Sequence, residues 1–407
     1  MIEKREFIWN IIASTCAAAL SMVLLFVVTR VNGVTEAGMF SIAFATATVL
    51  NAIADYGMRV YQVTDTERKH RFGVYLSSRY CVDFLMVIIA IIFVLINHYD
   101  ATKAIVCLGL VAFRSVDGIS ETYQGEFQLN GRLDIASKSV TYRMVISVLL
   151  FTIVDVVTKN IVYATLVLFV TNFVLLVFYD FRKIKQYTKE RIIIDPREIK
   201  IILLDCFPIF CSTMLNNYIV NAPKYAIDRF LTYDMQTYFN IIYLPTFTIN
   251  LMSIFVLKPM LKTLGEMWNT HENKRFISVI AKMGMAIVML TILVEVVCFA
   301  IGIPVLNLIY NVDISRYKSD LMILVIAGGL SALSVAIFYA LTTMRRQSRA
   351  MIGYTLAALC GMFLPNYMVS NYEMRGAVLS CVAIMLVQTG ALFAMFIVSW
   401  KQNIERE

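Results

Sequence analysis

The chain has 407 residues, of which 59% are hydrophobic and 16% charged, with a mean hydropathy of +0.72. That balance excludes a soluble globular domain, because the apolar residues arrive in runs of about twenty, the length that spans a bilayer core. The formal charge of +8 does not point to nucleic acid, since the lysines and arginines sit in short connections between apolar runs, which is how membrane orientation is encoded.

Twelve spans are expected at approximately 7–28, 39–61, 80–96, 104–123, 139–156, 161–179, 201–222, 238–257, 277–299, 321–343, 350–369 and 376–399, which makes the chain an all-α polytopic integral membrane protein. The first run lacks a small-residue cleavage pattern and is expected to be a retained span, not a signal peptide. With the N-terminus inside, the inner connections hold about three times as many basic residues as the outer ones, so both termini are expected in the cytoplasm. That tally places Arg79 in the connection before the third span.

Near the inner end of the second span, Asp55 and Arg59 are four residues apart, so on a continuous helix they share a face and form a pair. Alternatively, Arg59 reaches the inner headgroups along its aliphatic stem.

The fourth span reads AIVCLGLVAFRSVDGISETY from Ala104 to Tyr123 and becomes charged halfway along. Arg114, Asp117 and Glu121 follow at spacings of three and four, with Gly118 between them, and so lie on one helical face. A central charge costs roughly 2.5–3.5 kcal/mol on insertion scales, so this face is expected to turn toward a bundle interior or a wet cavity. Arg114 has two readings. It either neutralises its neighbouring acids or meets an anionic substrate.

The connection Asp180 to Lys200 is rich in basic residues and contains Pro196. It is expected to divide the chain into two six-helix lobes, residues 1–190 and 191–407. A shift of 199 residues superposes Arg30 on Arg229, Phe40 on Phe239 and Ile42 on Ile241, a faint parallel repeat. All seven prolines lie from this connection onward, and Pro208 and Pro245 are expected to bend the seventh and eighth spans.

Span seven carries Asn217, Asn221, Lys224 and Asp228 in one stripe, provided that the helix continues through Pro223. The amides suit sugar hydroxyls, while Lys224 and Arg229 suit an anion near the outer end. Interhelical hydrogen bonding by Asn217 and Asn221 is the alternative. Tyr56, Tyr61, Tyr123, Tyr218 and Tyr225 accompany the charged positions, either as interfacial anchors or as stacking platforms for carbohydrate.

The eight cysteines fall within apolar segments and read as small hydrophobes, so neither a disulfide nor a metal site is expected. No G-x-x-x-x-G-K-[ST], H-E-x-x-H, G-x-S-x-G or C-x-x-C occurs, so no phosphate loop or familiar hydrolytic motif is present. No cofactor is expected, and the chain reads as a transporter and not an enzyme.

Several segments carry a family resemblance: W-N-I-I near the start, T-R-V-N-G-V-T-E-A-G-M-F-S-I-A at Thr29 to Ala43, A-D-Y-G-M-R at Ala54 to Arg59, and F-R-S-V-D-G-I-S-E-T-Y-Q-G-E-F-Q-L-N-G-R at Phe113 to Arg132. The chain resembles Wzx-type polysaccharide flippases of the multidrug/oligosaccharidyl-lipid/polysaccharide (MOP) exporter superfamily, which also holds the MATE antiporters and the lipid II flippase. The resemblance implies two six-helix lobes in a V shape, in a bacterial cytoplasmic membrane. Alternating access would move an undecaprenyl-diphosphate-linked oligosaccharide repeat outward. It implies cationic residues in a central cavity, with Arg30, Arg59 and Arg114 in the matching motifs; Lys224 and Arg229 rest on the stripe alone. It also implies a monomer working beside a polysaccharide polymerase and glycosyltransferases, with a coupling ion, proton or sodium, left open. Two rivals are a MATE-like antiporter using Asp55, Asp117 or Glu121, and a membrane polysaccharide polymerase.

Overall fold

A computed structural model describes residues 4–65, 68–190, 192–270, 272–344 and 346–404, and these are helical with no strand among them. The helices are α1 (Lys4–Val31), α2 (Val34–Asp55), α3 (Met58–Thr64), α4 (Phe72–Ile96), α5 (Ala101–Leu129), α6 (Leu133–Thr158), α7 (Ile161–Leu175), α8 (Phe181–Ile184), α9 (Pro196–Phe230), α10 (Tyr233–Asn269), α11 (Asn273–Val297), α12 (Ile303–Tyr310), α13 (Lys318–Thr343) and α14 (Gln347–Ile404). Single π turns, Leu176–Asp180 and Cys298–Gly302, join α7 to α8 and α11 to α12. Glu373 leaves helical geometry at φ 47° and divides α14 in two. With α2–α3, α7–α8 and α11–α12 taken as interrupted rods, the described residues form the twelve helical segments expected, in the expected order.

Among the described residues, eight helical stretches are long and apolar enough to cross a membrane, by length and composition alone. α5 carries Lys103, Arg114 and Asp117 in its first eighteen residues, a charge density that only a buried face tolerates. Its N-terminus is capped by Asp100, whose carboxylate accepts the Lys103 N–H at 3.1 Å. Asn160 caps α7 in the same way through the Val162 N–H at 2.9 Å.

The described residues form two compact units, Met1–Asn217 and Tyr218–Glu407. In the first, α5 lies among α2, α3, α4, α6 and α7, while α1 packs on α6 and α2. An 18-residue stretch of α2 is 83% buried, which marks it as a central helix. α4 turns Phe84, Ile92 and Leu95 outward, as a lipid-facing helix does. The unit reaches Asn217 because the start of α9 packs within it: Ile202 and Cys206 join a buried cluster with Met58, Val74, Tyr75 and Val82.

In the second unit α13 contacts α10, α11 and α14. Thr246 donates to the Leu324 carbonyl at 2.6 Å and Ser331 to the Asn250 amide oxygen at 3.0 Å, so small polar groups lock α10 to α13. The pairs related by 199 residues take matching places: Arg30 and Arg229 lie in the last turns of α1 and α9, and Phe40, Phe239, Ile42 and Ile241 are buried. α9 runs helical through Pro208 and Pro223, and α10 through Pro245. The stripe from Asn217 to Asp228 therefore lies on one uninterrupted helix.

Candidate functional site

The charged face of α5 opens on a cavity of about 230 Å³ inside the first unit. α1 contributes Asn10, Ala13, Ser14 and Ala17 at helical spacing, and their small size leaves room for the opening. Asn51 of α2 and Arg59 of α3 line it from one side, and Ser137, Val140, Arg143 and Met144 of α6 from another. α5 supplies Arg114, Asp117, Gly118, Glu121 and Gln124. The wall is thus amide, hydroxyl and guanidinium, with two carboxylates among them.

The break between α2 and α3 sets the position of Arg59. Tyr56 and Gly57 take the left-handed conformation at φ 46° and φ 67°, so Asp55 and Arg59 no longer belong to one helix. Glycine at 57 also lets α9 approach, since a Cβ there would strike Ile209. Tyr56 stacks on Phe210 beside it, with ring centroids 4.6 Å apart. The expected Asp55–Arg59 pair is therefore not formed among the described residues. Arg59 Nη1 instead donates to Gln124 Oε1 at 3.0 Å.

Asp117 is shared by two cations. Arg143 Nη1 donates to its Oδ1 at 2.7 Å, whereas Arg114 Nη1 stands 3.5 Å from its Oδ2. Asn172 Nδ2 also donates to Asp117 Oδ1, at 3.2 Å, and its own Oδ1 accepts from Arg143 at 3.1 Å. Arg143 is thereby fixed on several sides, and its Nε lies 4.0 Å from Asp180. The Arg114 guanidinium has one long contact to a carboxylate and lies over the rings of Phe44 and Phe113, at 5.0 and 5.6 Å.

Glu121 faces a different arginine. Arg79 Nη2 lies 3.7 Å from Glu121 Oε2, and Arg79 Nε donates to Thr122 Oγ1 at 3.1 Å. Arg79 also donates to the Ala54 carbonyl, one of the carbonyls left without a helical partner where α2 ends. One turn further along α4, Asp83 is buried beside Gly118, where a Cβ would stand 3.1 Å from the Asp83 carboxylate. A glycine at 118 is what lets α5 approach α4 so closely.

These contacts correct the position of two residues. Arg79, expected in an inner connection, is fully buried within α4, because that helix begins at Phe72 through the small residues Gly73, Ser77 and Ser78. Asp180, expected to open the long charged connection, is buried on a π turn and accepts a hydrogen bond from Ser120. Arg143, Asn172, Gln124 and Asn51 also belong to the site and were not anticipated there. The partners that hold Arg143, Asn172 and Gln124 at the site lie on other helices, which spacing along one segment does not reveal.

Of the expected site residues, the cavity gathers Arg59, Arg114, Asp117 and Glu121. Asp55 ends α2, within electrostatic reach of Glu121. Arg30 closes α1 over the Phe26 ring at 5.9 Å, and Asn217 donates to the Thr48 carbonyl at 3.3 Å. In the second unit Asn221 is buried, Asp228 is half-buried and Lys224 Nζ lies 5.6 Å from the Tyr243 ring centre. Arg229 is exposed, 5.3 Å from the Phe230 ring centre.

Among solved structures the fold is similar to an inward-facing multidrug resistance MATE family transporter of the MOP superfamily (TM-score 0.73, 10% identity, 98% of each chain). It is similar to the lipid II flippase MurJ in an inward closed conformation (TM-score 0.72, 12% identity, 98% of this chain and 91% of that one). A third likeness is to the Vibrio cholerae MATE transporter VcmN in its bent form (TM-score 0.60, 12% identity, 98% and 97%). No curated protein sequence matches the chain. Residues 4–261 match the family described as polysaccharide biosynthesis protein. The chain therefore belongs to the polysaccharide biosynthesis protein family and has the multi-pass helical fold of MOP superfamily transporters.

Proposed function

We propose that this protein is a flippase that carries an undecaprenyl-diphosphate-linked oligosaccharide repeat outward across a bacterial cytoplasmic membrane, by alternating access. The observation that carries the reading is the state of two cavity arginines. Arg59 is held by the neutral amide of Gln124 and forms no ion pair among the described residues, and Arg114 is held to Asp117 only at 3.5 Å. A guanidinium without a close carboxylate partner retains its planar fork for a diphosphate, to which it can donate two parallel hydrogen bonds. Asn10, Ser14, Asn51 and Ser137 line the same cavity and suit sugar hydroxyls.

In this reading Arg143 and Arg79 do not take substrate. Arg143 is engaged by the Asp117 carboxylate and the Asn172 amide, and Arg79 by the Thr122 hydroxyl and the Ala54 carbonyl, and they hold α4, α5 and α6 in the arrangement that presents Arg59 and Arg114. The lipid tail remains in the bilayer, so only the diphosphate and sugars need a wet path. Lys224, Arg229, Asn217 and Asn221 are proposed as further substrate contacts along α9, and Arg30 as one at the end of α1. Residues 1–190 and 191–407 are proposed as the halves that alternate in the cycle, with both termini cytoplasmic. The protein is proposed to act as a monomer alongside a polysaccharide polymerase and glycosyltransferases.

Asp117 and Glu121 on the same wall favour a second reading, a cation-coupled antiporter of drugs or metabolites. A deletion strain separates the two. Undecaprenyl-linked repeats accumulating at the inner face, relieved by wild-type protein and not by the Arg59→Gln/Arg114→Gln variant, support the flippase. Drug sensitivity with normal surface polysaccharide would support the antiporter, and unextended repeats exported normally would point to a polymerase.

A further inference from the structure

A second cavity lies at the opposite end of α5 from its capped N-terminus, between α4, α5 and the chain that follows α8, with a volume of about 820 Å³. Its floor is apolar: Phe72, Leu76 and Ile184 are buried members of one hydrophobic cluster, and Tyr80 and Ile192 extend that surface to the mouth. Two cations, Lys185 and Lys189, stand at the mouth and are exposed. The one acid there, Glu190, is turned to the backbone, because its Oε2 accepts the Gly73 N–H at 3.2 Å in the first turn of α4.

Phe181, which lines the opening, and Phe178, three residues before it, are exposed, with Lys185 and Arg182 over their rings at 4.7 and 4.8 Å. Exposed aromatics overlaid by cations suit the boundary between hydrocarbon and headgroups. A soluble anion would use the lysines but not the apolar floor. An uncharged hydrocarbon would use the floor but not the lysines.

We propose that this cavity binds an acidic phospholipid, with an acyl chain over Leu76, Tyr80 and Ile184 and the phosphodiester at Lys185 and Lys189. A lipid held there would bridge α4 to the chain after α8, so the anionic lipid content of the membrane would govern how firmly that connection is held.

The test uses the full-length protein reconstituted into vesicles of phosphatidylcholine and phosphatidylglycerol in equal parts, then extracted gently and weighed with its retained lipids by native mass spectrometry. Wild type is expected to retain phosphatidylglycerol in preference to phosphatidylcholine. The Lys185→Gln/Lys189→Gln variant should lose that preference by about fivefold per lysine, the factor equivalent to ~1 kcal/mol for each cation at an anionic surface. The Lys183→Gln/Lys200→Gln variant removes the same charge from outside the cavity lining and should keep it. Wild-type retention by the first variant, or equal loss from both, would overturn the proposal. So would replacement of phosphatidylglycerol in the wild type by an equal amount of undecaprenyl phosphate, which would assign the cavity to the carrier lipid.

Discussion

Arg143 and Asp117 lie 26 residues apart on different helices and are joined at 2.7 Å, and this bond decides how Arg114, the other cation beside Asp117, is held. Because Asp117 gives its short contact to Arg143, Arg114 is left at 3.5 Å from the same carboxylate. One pair is structural glue, and the other cation is available.

The first prediction concerns that glue. Arg143→Gln leaves Asp117 and Asp180 without their shared cation in a buried site, which costs about 3–5 kcal/mol when a buried pair is broken on one side. Thermal unfolding in detergent should show a large loss of stability and a lowered protein yield. Arg143→Met with Asp117→Leu removes the closer pair and should recover part of the loss, Asp180 remaining without its cation, and a double variant as unstable as the single would argue against the pairing.

Arg114 should behave in the opposite way. Arg114→Gln is expected to leave protein level and unfolding temperature near wild type while abolishing export, and Arg114→Lys to retain partial export, since it keeps the charge and loses the fork. Adding Asp117→Asn or Glu121→Gln should not help. Rescue of export by either double variant would make Arg114 a neutraliser of its neighbours.

A third prediction follows from Asp65, at the end of α3. Burial pushes its carboxyl up, but N–H donation from His70 and Lys69, with the Tyr75 hydroxyl at 3.0 Å, outweighs this and holds it below its ordinary value of 3.8. A carboxyl depressed in the folded state contributes stability that is fully present above its unfolded value and is lost as pH falls through the folded one. Asp65→Asn should therefore lower stability most above about pH 3.8, where the wild-type carboxylate is ionised, and converge on wild type as pH falls below that, which flattens the acid limb. An unchanged acid limb would remove Asp65 from that role.

How much of this was legible depended on whether partners share a helix. The inward charged face of α5 could be read from spacings of three and four, because Arg114, Asp117 and Glu121 report their common face without help from the rest of the chain. Arg143 could be placed within a span but not paired, as its acid sits on another helix. Arg79 was misplaced because GVYLSSR at the start of α4 is too polar to read as membrane helix, although Arg79 and Asp83, four apart, formed a detectable pattern. Asp55 and Arg59 misled for the converse reason: their spacing was helical and the backbone between them is not.

Topology supplies a fourth prediction. The excess of Lys and Arg in the inner connections requires the 180–200 connection to be cytoplasmic, so alkaline phosphatase fused after Lys189 should be inactive while a cytoplasmic reporter at the same site is active. Phosphatase activity there would reverse the orientation of the first six segments.

The most direct measurement of the central claim is transport of an undecaprenyl-diphosphate-linked oligosaccharide across proteoliposomes containing only this protein, read by the fraction of sugar accessible to an external glycosidase. The account predicts that wild type moves the substrate, and that the Arg59→Gln/Arg114→Gln variant, folded and inserted to the same level, does not. Equal transport by that variant, or none by wild type together with export of a cationic drug, would contradict it.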